Sequence, residues 1–298
     1  MITLSNGHSF EHMAASGALA FDGKGWPWEQ PLRWAGLLDP SLFTVVIKTL
    51  TRHPRKGNLR WYNPLRCVRF MRTGAVNAVG LTNPGIEWWC EKIGPTINKN
   101  DIAMMGSILS DANTDELAEM TEMLNAFDLV GLEVNASCPN TQGEMLGNVE
   151  TVIEGLTKVK AKTRFPLVVK LSVMHDIEHL VKRLEGLVEA ISINTVPWAK
   201  MFPDTKSPLS KFGGGGVSGK IAQPYTWDMV QRLVALTSLP VIGPGVWDYN
   251  DIASLRMLGA SAISFGSLFM RYPWRPTLYA RRDTNEILPH AKEKTGNT

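Results

Sequence analysis

Short apolar runs alternate with stretches of helical periodicity along most of the chain. Eight runs are continuous enough to predict buried strands: TVVIK (44–48), NAVGL (77–81), IAMMGSIL (102–109), LVGLEVN (129–135), LVVKLS (167–172), AISIN (190–194), LPVIG (239–243) and AISFG (262–266). Between several of them, apolar residues recur every three or four positions, as on one face of a helix. Apolar strands that alternate with helices predict a parallel sheet covered on its outer face.

The helical stretches have recognisable starts. Thr114 precedes Leu117, Met120, Leu124 and Phe127; Asp176 precedes Ile177, Leu180, Val181 and Leu184; further stretches contain Val149, Val152, Ile153 and Leu156, and Thr226, Val230, Leu233 and Val234. Eight strand–helix units predict closure into an α/β fold of the (β/α)8 TIM barrel type. The chain has 298 residues, and such barrels have about 250. We therefore expect one domain over residues 1–298.

Composition and charge exclude several classes of protein. Hydrophobic residues make up 44% and charged residues 20% of the chain, as in a soluble globular protein. No apolar run approaches the roughly 20 residues of a membrane span, and the start MITLSNGHSF lacks the features of a signal peptide. The formal net charge is only +3 and the basic residues are dispersed, which argues against nucleic-acid binding. Three scattered cysteines are too few for a disulfide framework, so we expect a cytoplasmic protein.

Polar residues follow the predicted strands. Lys48, Asn135 and Asn194 end three of the apolar runs, Lys170 lies in a fourth, and Asn77 begins NAVGL. The carboxyl ends of all strands of a parallel barrel lie at the same end of the barrel. These side chains are therefore expected to converge there. Each alone could be an ordinary polar residue at a strand end, but a buried lysine is costly unless it has a partner.

Glycines suggest a bound phosphate near the last two strands. The seventh and eighth runs end in IGPG and FGS, and GGGGVSG precedes them. Glycine lets backbone N–H groups approach an anion, and the loops after strands 7 and 8 commonly bind phosphate in this fold. The connections 52–76 and 196–224 are also longer than ordinary turns, which is typical of functional loops.

Other candidate features have simpler interpretations. His175 and His179 in HDIEH lie four positions apart, but no third ligand is evident, so we predict no metal site. Cys67 and Cys90 lie outside any polar motif and are expected to pack. Cys138 differs because it follows a predicted strand and lies between Asn135 and Asn140, where a thiol can be a base.

With these motifs in view, the chain resembles dihydroorotate dehydrogenases from about residue 10 to residue 273. The resemblance lies in AASG (14–17), NAVGLTNPG (77–85), NASCPNT (135–141), VVKLS, INT, GGGGVSG and FGS, in the family's order. It implies a flavin mononucleotide (FMN) enzyme on a (β/α)8 barrel that oxidises dihydroorotate to orotate in pyrimidine synthesis. Cys138 matches the soluble classes, which have cysteine where the membrane-linked class has serine.

The resemblance also implies roles for individual residues. Cys138 would remove the proton from C5 of the substrate while the hydride leaves C6 for flavin N5, and Lys48 would lie beside the substrate carboxylate and the flavin. The implied substrate site consists of Lys48, Asn77, Val79, Gly80, Leu81, Asn135, Asn140, Asn194 and Thr195. The implied FMN site consists of Ala14, Ala15, Ser16, Gly17, Lys48, Thr49, Asn135, Lys170, Asn194, Gly216, Gly219, Gly243, Gly245, Gly266 and Ser267.

Several details resemble the NAD-linked subclass, whose catalytic subunit works with an iron–sulfur and FAD subunit. We therefore expect such a partner, and a homodimer. Three positions depart from the family pattern: Val246 in the phosphate loop, and Pro197 and Trp198 after Asn194-Thr195. The alternatives are an FMN enzyme for another dihydropyrimidine, and a flavin-free barrel lyase or isomerase that binds phosphate.

Overall fold

The structure is a computed structural model that describes residues 1–60, 62–110, 113–136 and 148–295, with side chains up to residue 286. Its strands are β1 (Ile2–Thr3), β2 (Ser9–Phe10), β3 (His12–Ala14), β4 (Thr44–Val46), β5 (Val68–Met71), β6 (Gly74–Asn77), β7 (Met104–Ile108), β8 (Gly131–Asn135), β9 (Leu167–Leu171), β10 (Ala190–Ile193), β11 (Val196–Pro197), β12 (Gly216–Gly219), β13 (Val241–Gly243) and β14 (Ala262–Phe265).

The helices lie mainly between the strands. They are α1 (Gln30–Trp34), α2 (Ile86–Lys92), α3 (Asp115–Leu124), α4 (Val149–Lys162), α5 (Ile177–Leu184), α6 (Trp198–Met201), α7 (Gln223–Leu236), α8 (Asn250–Met257), α9 (Ser267–Arg271) and α10 (Arg275–Thr295). Short 3-10 helices cover Pro27–Glu29, Pro40–Leu42, Pro64–Arg66, Gly94–Thr96, Ser210–Phe212 and Lys220–Ala222. Among the described helices, none is both long and apolar enough to cross a membrane.

Eight parallel strands close into a barrel in the order β3, β4, β7, β8, β9, β10, β13, β14. This confirms the predicted (β/α)8 class. The helices cover the outside because their apolar faces are buried against the strands, as with Leu180, Val181 and Leu184 of α5. The predicted start of α5 is also present, because the Asp176 carboxylate accepts the backbone N–H of His179 and satisfies one of the free donors of the first turn. That residues 1–298 form one domain stays a prediction.

The predicted set of eight strands was wrong at one place. NAVGL is not a barrel strand, because β6 ends at Asn77 and pairs with antiparallel neighbours outside the barrel. Of its apolar residues, Ala78 is buried in a separate small core with Trp198 and Val217, whereas Val79 and Leu81 line a cavity. The missing barrel strand is β3, which begins with a histidine and lacks the apolar run that marks the other seven.

The two long connections pair with each other to form a second sheet. Strands β5 and β6 come from the first connection and β11 and β12 from the second, in the order β11-β12-β6-β5. Asn77 faces Gly216 across the central pair of this sheet. The two excursions that leave the barrel after its second and sixth strands are therefore joined by antiparallel hydrogen bonds.

The interior of the barrel is closed by an apolar plug. Inward residues of the barrel strands, including Met13, Met105 and Val168, form one cluster with Ile2 and Phe10 of the N-terminal β1–β2 hairpin. Burying this many apolar groups is the main stabilising contribution to the fold. It also leaves the opposite end of the barrel as the place for a cavity.

A buried ionic cluster attaches the C-terminal helix to the barrel. Asp283 of α10 contacts His12 Nε2 of β3 at 2.6 Å and both terminal nitrogens of Arg256 at 2.6 Å, while Arg256 also contacts Glu11 at 3.3 Å. Burial alone would raise the pKa of Asp283, but the hydrogen bonds from His12 and Arg256 lower it to about 2. The ionised carboxylate is thus the form that the folded protein stabilises.

Asp283→Asn is expected to lower the free energy of unfolding at neutral pH by about 3 kcal/mol, because Arg256 would lose its buried counter-charge. Since folding lowers the pKa of Asp283, its contribution is complete above about pH 4 and is lost as the pH falls toward 2. Urea unfolding over this range should therefore show a flatter acid dependence in the variant. Asp204→Asn, at an exposed position, serves as the control. Equal stability of Asp283→Asn and wild type would contradict the role of the cluster.

Candidate active site

A cavity of about 420 Å³ opens at the carboxyl ends of the barrel strands. Ala15 to Gly17 follow β3, Lys48 follows β4, Asn135 ends β8 and Asn194 follows β10, and all of these line it. The second sheet contributes a further part of the wall through residues such as Val68 and Asn77. The volume lies in the range of small-molecule and cofactor sites.

Most of the residues expected at the site line this one cavity. They are Ala15, Ser16, Gly17, Lys48, Thr49, Asn77, Val79, Gly80, Leu81, Asn135, Lys170, Asn194, Thr195, Gly219, Gly245, Gly266 and Ser267. The convergence of strand-end polar residues is the arrangement that a parallel barrel predicts. What each of them binds stays a prediction.

Three expected cofactor residues lie beside the cavity. Ala14 is fully buried in β3, and Gly216 pairs with Asn77 in the second sheet. At Gly243 an added Cβ would lie 2.8 Å from Leu255 and 2.9 Å from Ala260, so close packing alone explains this glycine. Cys138 and Asn140 lie outside the described residues.

Beneath the cavity lies a buried carboxylate with its cation. Glu133 of β8 has no exposed surface, and its Oε1 is 3.0 Å from the Nζ of Lys170, which is 6% exposed. Ser107 donates to Oε1 at 3.1 Å and Ser192 donates to Oε2 at 3.0 Å. The sequence predicted that a buried lysine here would need a partner, and Glu133 is that partner.

Hydrogen bonds connect this ion pair to the cavity wall. The Oγ1 of Thr49 lies 3.0 Å from the Oγ of Ser107, and the Nδ2 of Asn135 donates to Thr49 Oγ1 at 3.2 Å. Ser16 contacts the same Thr49 hydroxyl at 2.9 Å. We refer to Glu133, Lys170, Ser107, Thr49 and Asn135 as the Glu133 network. It joins the positively charged and the amide-bearing parts of the cavity wall.

Another part of the wall is rich in glycine. Gly219 and Gly245 have φ values of +91° and +90°, a conformation that residues with a side chain rarely adopt. At Gly219 an added Cβ would also lie 2.7 Å from the Cα of Gly74. Gly266 precedes Ser267 at the start of α9. Backbone N–H groups that a ligand can approach closely suit a phosphate group.

The three departures from the family pattern differ in their surroundings. Val246 is buried and lines the cavity, so it is placed to influence a ligand. Pro197 pairs with Gly216, and Trp198 packs in the small core of the second sheet while its Nε1 donates to the carbonyl of Thr205 at 2.7 Å. These last two residues stabilise the second sheet.

The remaining candidates do not form a reactive group among the described residues. Burial raises the pKa of the Cys90 thiol to about 11 and also raises that of Cys67, so both are protonated packing residues as predicted. The Nδ1 of His175 accepts the backbone N–H of Ser172 at 2.9 Å, whereas His179 is exposed and contacts Asp176 at 2.6 Å. Each histidine of HDIEH thus has its own local partner.

Sequence reasoning missed several residues at the cavity. Glu133 precedes Asn135 by two positions, so the alternation of a strand places both inside the barrel, and this signal was available. Trp26 and Trp28 are stacked with ring centroids 5.3 Å apart and line the cavity with Glu29. Glu29 is 2% exposed; burial raises its pKa to about 7, against a lowering effect of its hydrogen bond from the Trp26 backbone. No periodic pattern marked that segment.

Comparison with known proteins points to one family. A family model described as dihydroorotate dehydrogenase matches residues 31–275. Dihydroorotate dehydrogenase A (fumarate) of Lactobacillus delbrueckii subsp. bulgaricus is 34% identical over 86% of this chain and 83% of its own. The catalytic subunit of dihydroorotate dehydrogenase B (NAD(+)) of Thermoanaerobacter pseudethanolicus is 33% identical over 76% of each chain. A ligand-free type DHODH from Eimeria tenella shares the fold, with TM-score 0.70, 20% identity and coverage of 98% of this chain and 88% of that one.

Proposed function

Since this chain belongs to the dihydroorotate dehydrogenase family, we propose that it oxidises dihydroorotate to orotate in pyrimidine synthesis with FMN bound in the cavity. The observation that carries the proposal is the composition of the cavity wall. Two lysines, three asparagines and a set of glycines converge there: Lys48, Lys170, Asn77, Asn135, Asn194, Gly219, Gly245 and Gly266. This is the donor set that an anionic pyrimidine and a flavin phosphate require.

The fit to FMN rests on two ends of the cavity with different chemistry. The glycine backbone at Gly219, Gly245 and Gly266 would receive the phosphate, with Ser267 beside it. Lys170 would lie near N1 and the C2 carbonyl, where its charge favours the electron-rich reduced ring. When bound, FMN supplies the chemistry of accepting a hydride from C6 of the substrate.

The substrate part of the proposal assigns the amides to the pyrimidine edge. A carboxamide both donates and accepts, so Asn77, Asn135 and Asn194 suit alternating N–H and C=O groups. Asn140 would complete this set, and Lys48 would contact the substrate carboxylate. Cys138 would take the C5 proton. For Asn140 and Cys138 the support is the family resemblance alone.

The electron acceptor and the partner are a further part of the proposal. We propose that electrons leave through a second subunit to NAD, as the motifs of the NAD-linked subclass imply, and that the chain forms a homodimer. A relative named as a catalytic subunit of an NAD(+) enzyme supports the partner, although a fumarate-named relative has nearly the same identity. The protein alone is then expected to reduce NAD only slowly.

One visible spectrum tests the function. The purified protein is expected to be yellow, and to lose its visible flavin absorption when dihydroorotate is added under nitrogen. Dihydrouracil, which lacks the carboxylate, should bleach it far more slowly because it could not make the proposed contact between that carboxylate and Lys48. A colourless protein that cannot be reconstituted with FMN would overturn the proposal in favour of a flavin-free barrel enzyme. Faster bleaching by dihydrouracil would indicate a different dihydropyrimidine substrate.

Asn135→Ala is expected to weaken orotate binding by about 1 to 3 kcal/mol, because polar groups of the ligand would lose a partner inside the cavity. The measurement is a titration of the flavin spectrum with orotate. Asn100→Ala, at an exposed position, is the matched control and should bind orotate as the wild type does. Equal orotate affinity in Asn135→Ala would remove Asn135 from the substrate site.

A further inference from the structure

Glu133 is a fully buried carboxylate that the proposed mechanism does not use. It lies on β8, and its three hydrogen-bond partners come from the strands around it: Ser107 on β7, Lys170 on β9 and Ser192 on β10. In the register of the barrel, Ser107 is opposite Glu133, and Ser192 is opposite Lys170. The four side chains therefore form a polar layer that crosses four adjacent strands between the apolar plug and the cavity.

Burying such a polar layer lowers the stability of the fold unless its interactions offset the cost of removing the charges from water. Removing a carboxylate and an ammonium from water costs several kcal/mol for each ion, and apolar residues of similar volume often serve stability equally well or better. The inward-facing residues of the plug, such as Met105 and Val168, show that this barrel accommodates apolar residues one layer below. Stability alone therefore gives no reason for Glu133. Three members of its network, Lys170, Thr49 and Asn135, line the cavity, and their position there suggests a role in the site instead.

The carboxylate also determines the direction of a chain of hydrogen bonds. An ionised carboxylate can only accept, so Ser107 must donate its one proton to Glu133. The Ser107 oxygen then accepts from Thr49, at 3.0 Å, and Thr49 in turn accepts the Nδ2 donor of Asn135 at 3.2 Å. With the protons placed in this way, the amide nitrogen of Asn135, and not its oxygen, points toward Thr49.

We propose that Glu133 is a positioning residue for the reaction: its charge balances and places the ammonium of Lys170, and its hydrogen bonds orient the carboxamide of Asn135. This inference rests on the function proposed above. Glu133 acts on both partners from beneath the cavity floor, without contact with substrate or flavin. One acidic side chain thereby sets the electrostatics on the flavin side and the hydrogen-bond pattern on the substrate side.

Two variants of the FMN-loaded protein separate these effects. Ser107→Ala interrupts the chain to Asn135 but keeps the ion pair, so the orotate dissociation constant is expected to rise about tenfold with an unchanged flavin potential. Glu133→Gln removes the negative charge, and its amide group can donate a hydrogen bond to Ser107 and so reverse the direction of the hydrogen bonds that lead to Asn135. The orotate dissociation constant and the flavin potential should therefore both change. Its midpoint potential is expected to rise by about 30 mV or more, a tenfold change for a two-electron couple, because the site becomes one unit more positive. Thr121→Val removes a buried hydroxyl of α3 as the control.

The outcomes distinguish this proposal from the function on which it rests. A wild-type protein that neither binds orotate nor is bleached by dihydroorotate overturns the proposed function, and this inference with it. A functional wild type with an unchanged or lowered potential in Glu133→Gln overturns the charge role. Equal orotate affinity in Ser107→Ala and Thr121→Val overturns the orienting role, and this comparison remains available if Glu133→Gln does not fold.

Discussion

Cys138→Ala is expected to retain FMN and to reduce it with dihydroorotate about 10² to 10⁴ times more slowly than the wild type, which is the usual contribution of a general base. The C5 proton must have an acceptor while the hydride leaves C6, and alanine offers none. A free thiol has a pKa of about 8.5, so the wild-type rate should rise with pH through this region because only the thiolate can accept the proton. Cys138→Ala should lose this dependence.

The measurement is anaerobic stopped-flow reduction of the bound flavin over a range of pH. Cys90→Ala is the matched control, because burial raises the pKa of that half-buried thiol to about 11 and holds it protonated. The control should follow the wild-type profile. Flavin reduction in Cys138→Ala at the wild-type rate would show that another group accepts the proton, and would leave the rest of the proposed site intact.

Lys170→Met is expected to lower the free energy of unfolding by about 3 to 5 kcal/mol, because it leaves Glu133 without its counter-charge inside the barrel. The ammonium and the carboxylate lie 3.0 Å apart and both are buried, so solvent cannot replace the lost partner. Urea unfolding of the FMN-free protein measures this effect independently of catalysis. In the FMN-loaded protein the same variant should lower the flavin potential, since a positive charge near the reduced ring is lost.

A double variant supplies the control for this second prediction. Glu133→Gln/Lys170→Met removes both charges, so it is expected to be more stable than Lys170→Met alone although it carries one substitution more. Additive losses in the double variant would mean that the two side chains do not form an energetically coupled pair, contrary to their geometry. A free energy of unfolding in Lys170→Met equal to that of the wild type would also contradict the prediction.

The barrel strands could be predicted from the sequence where each strand coincides with one continuous apolar run. Seven barrel strands met this condition, but β3 begins with His12, which with the preceding Glu11 forms ionic contacts outside the barrel. A strand that carries charged partners on one side gives no continuous apolar signal. NAVGL gave the signal without belonging to the barrel, because Ala78 is buried in the small core of the second sheet and Val79 and Leu81 line the cavity.

Part of the site could be predicted because the carboxyl ends of parallel strands lie together at one end of a barrel. That rule alone placed Lys48, Asn135, Lys170 and Asn194 in one cavity. It did not identify Glu133, since an acid inside an apolar run attracts attention only when its strand face is followed residue by residue. Nor could it show that residues 52–76 and 196–224 pair with each other, because contacts between distant segments leave no local periodicity.

The pairing of these two segments makes them one unit for protein engineering. Asn77 reaches the cavity through its register with Gly216, a residue 139 positions away that comes from the other excursion. A one-residue insertion in either excursion would shift the register and turn Asn77 to the other face of the sheet. An exchange of loops with a relative should therefore transfer both excursions together, because transfer of one excursion alone would separate its strands from the strands with which they pair.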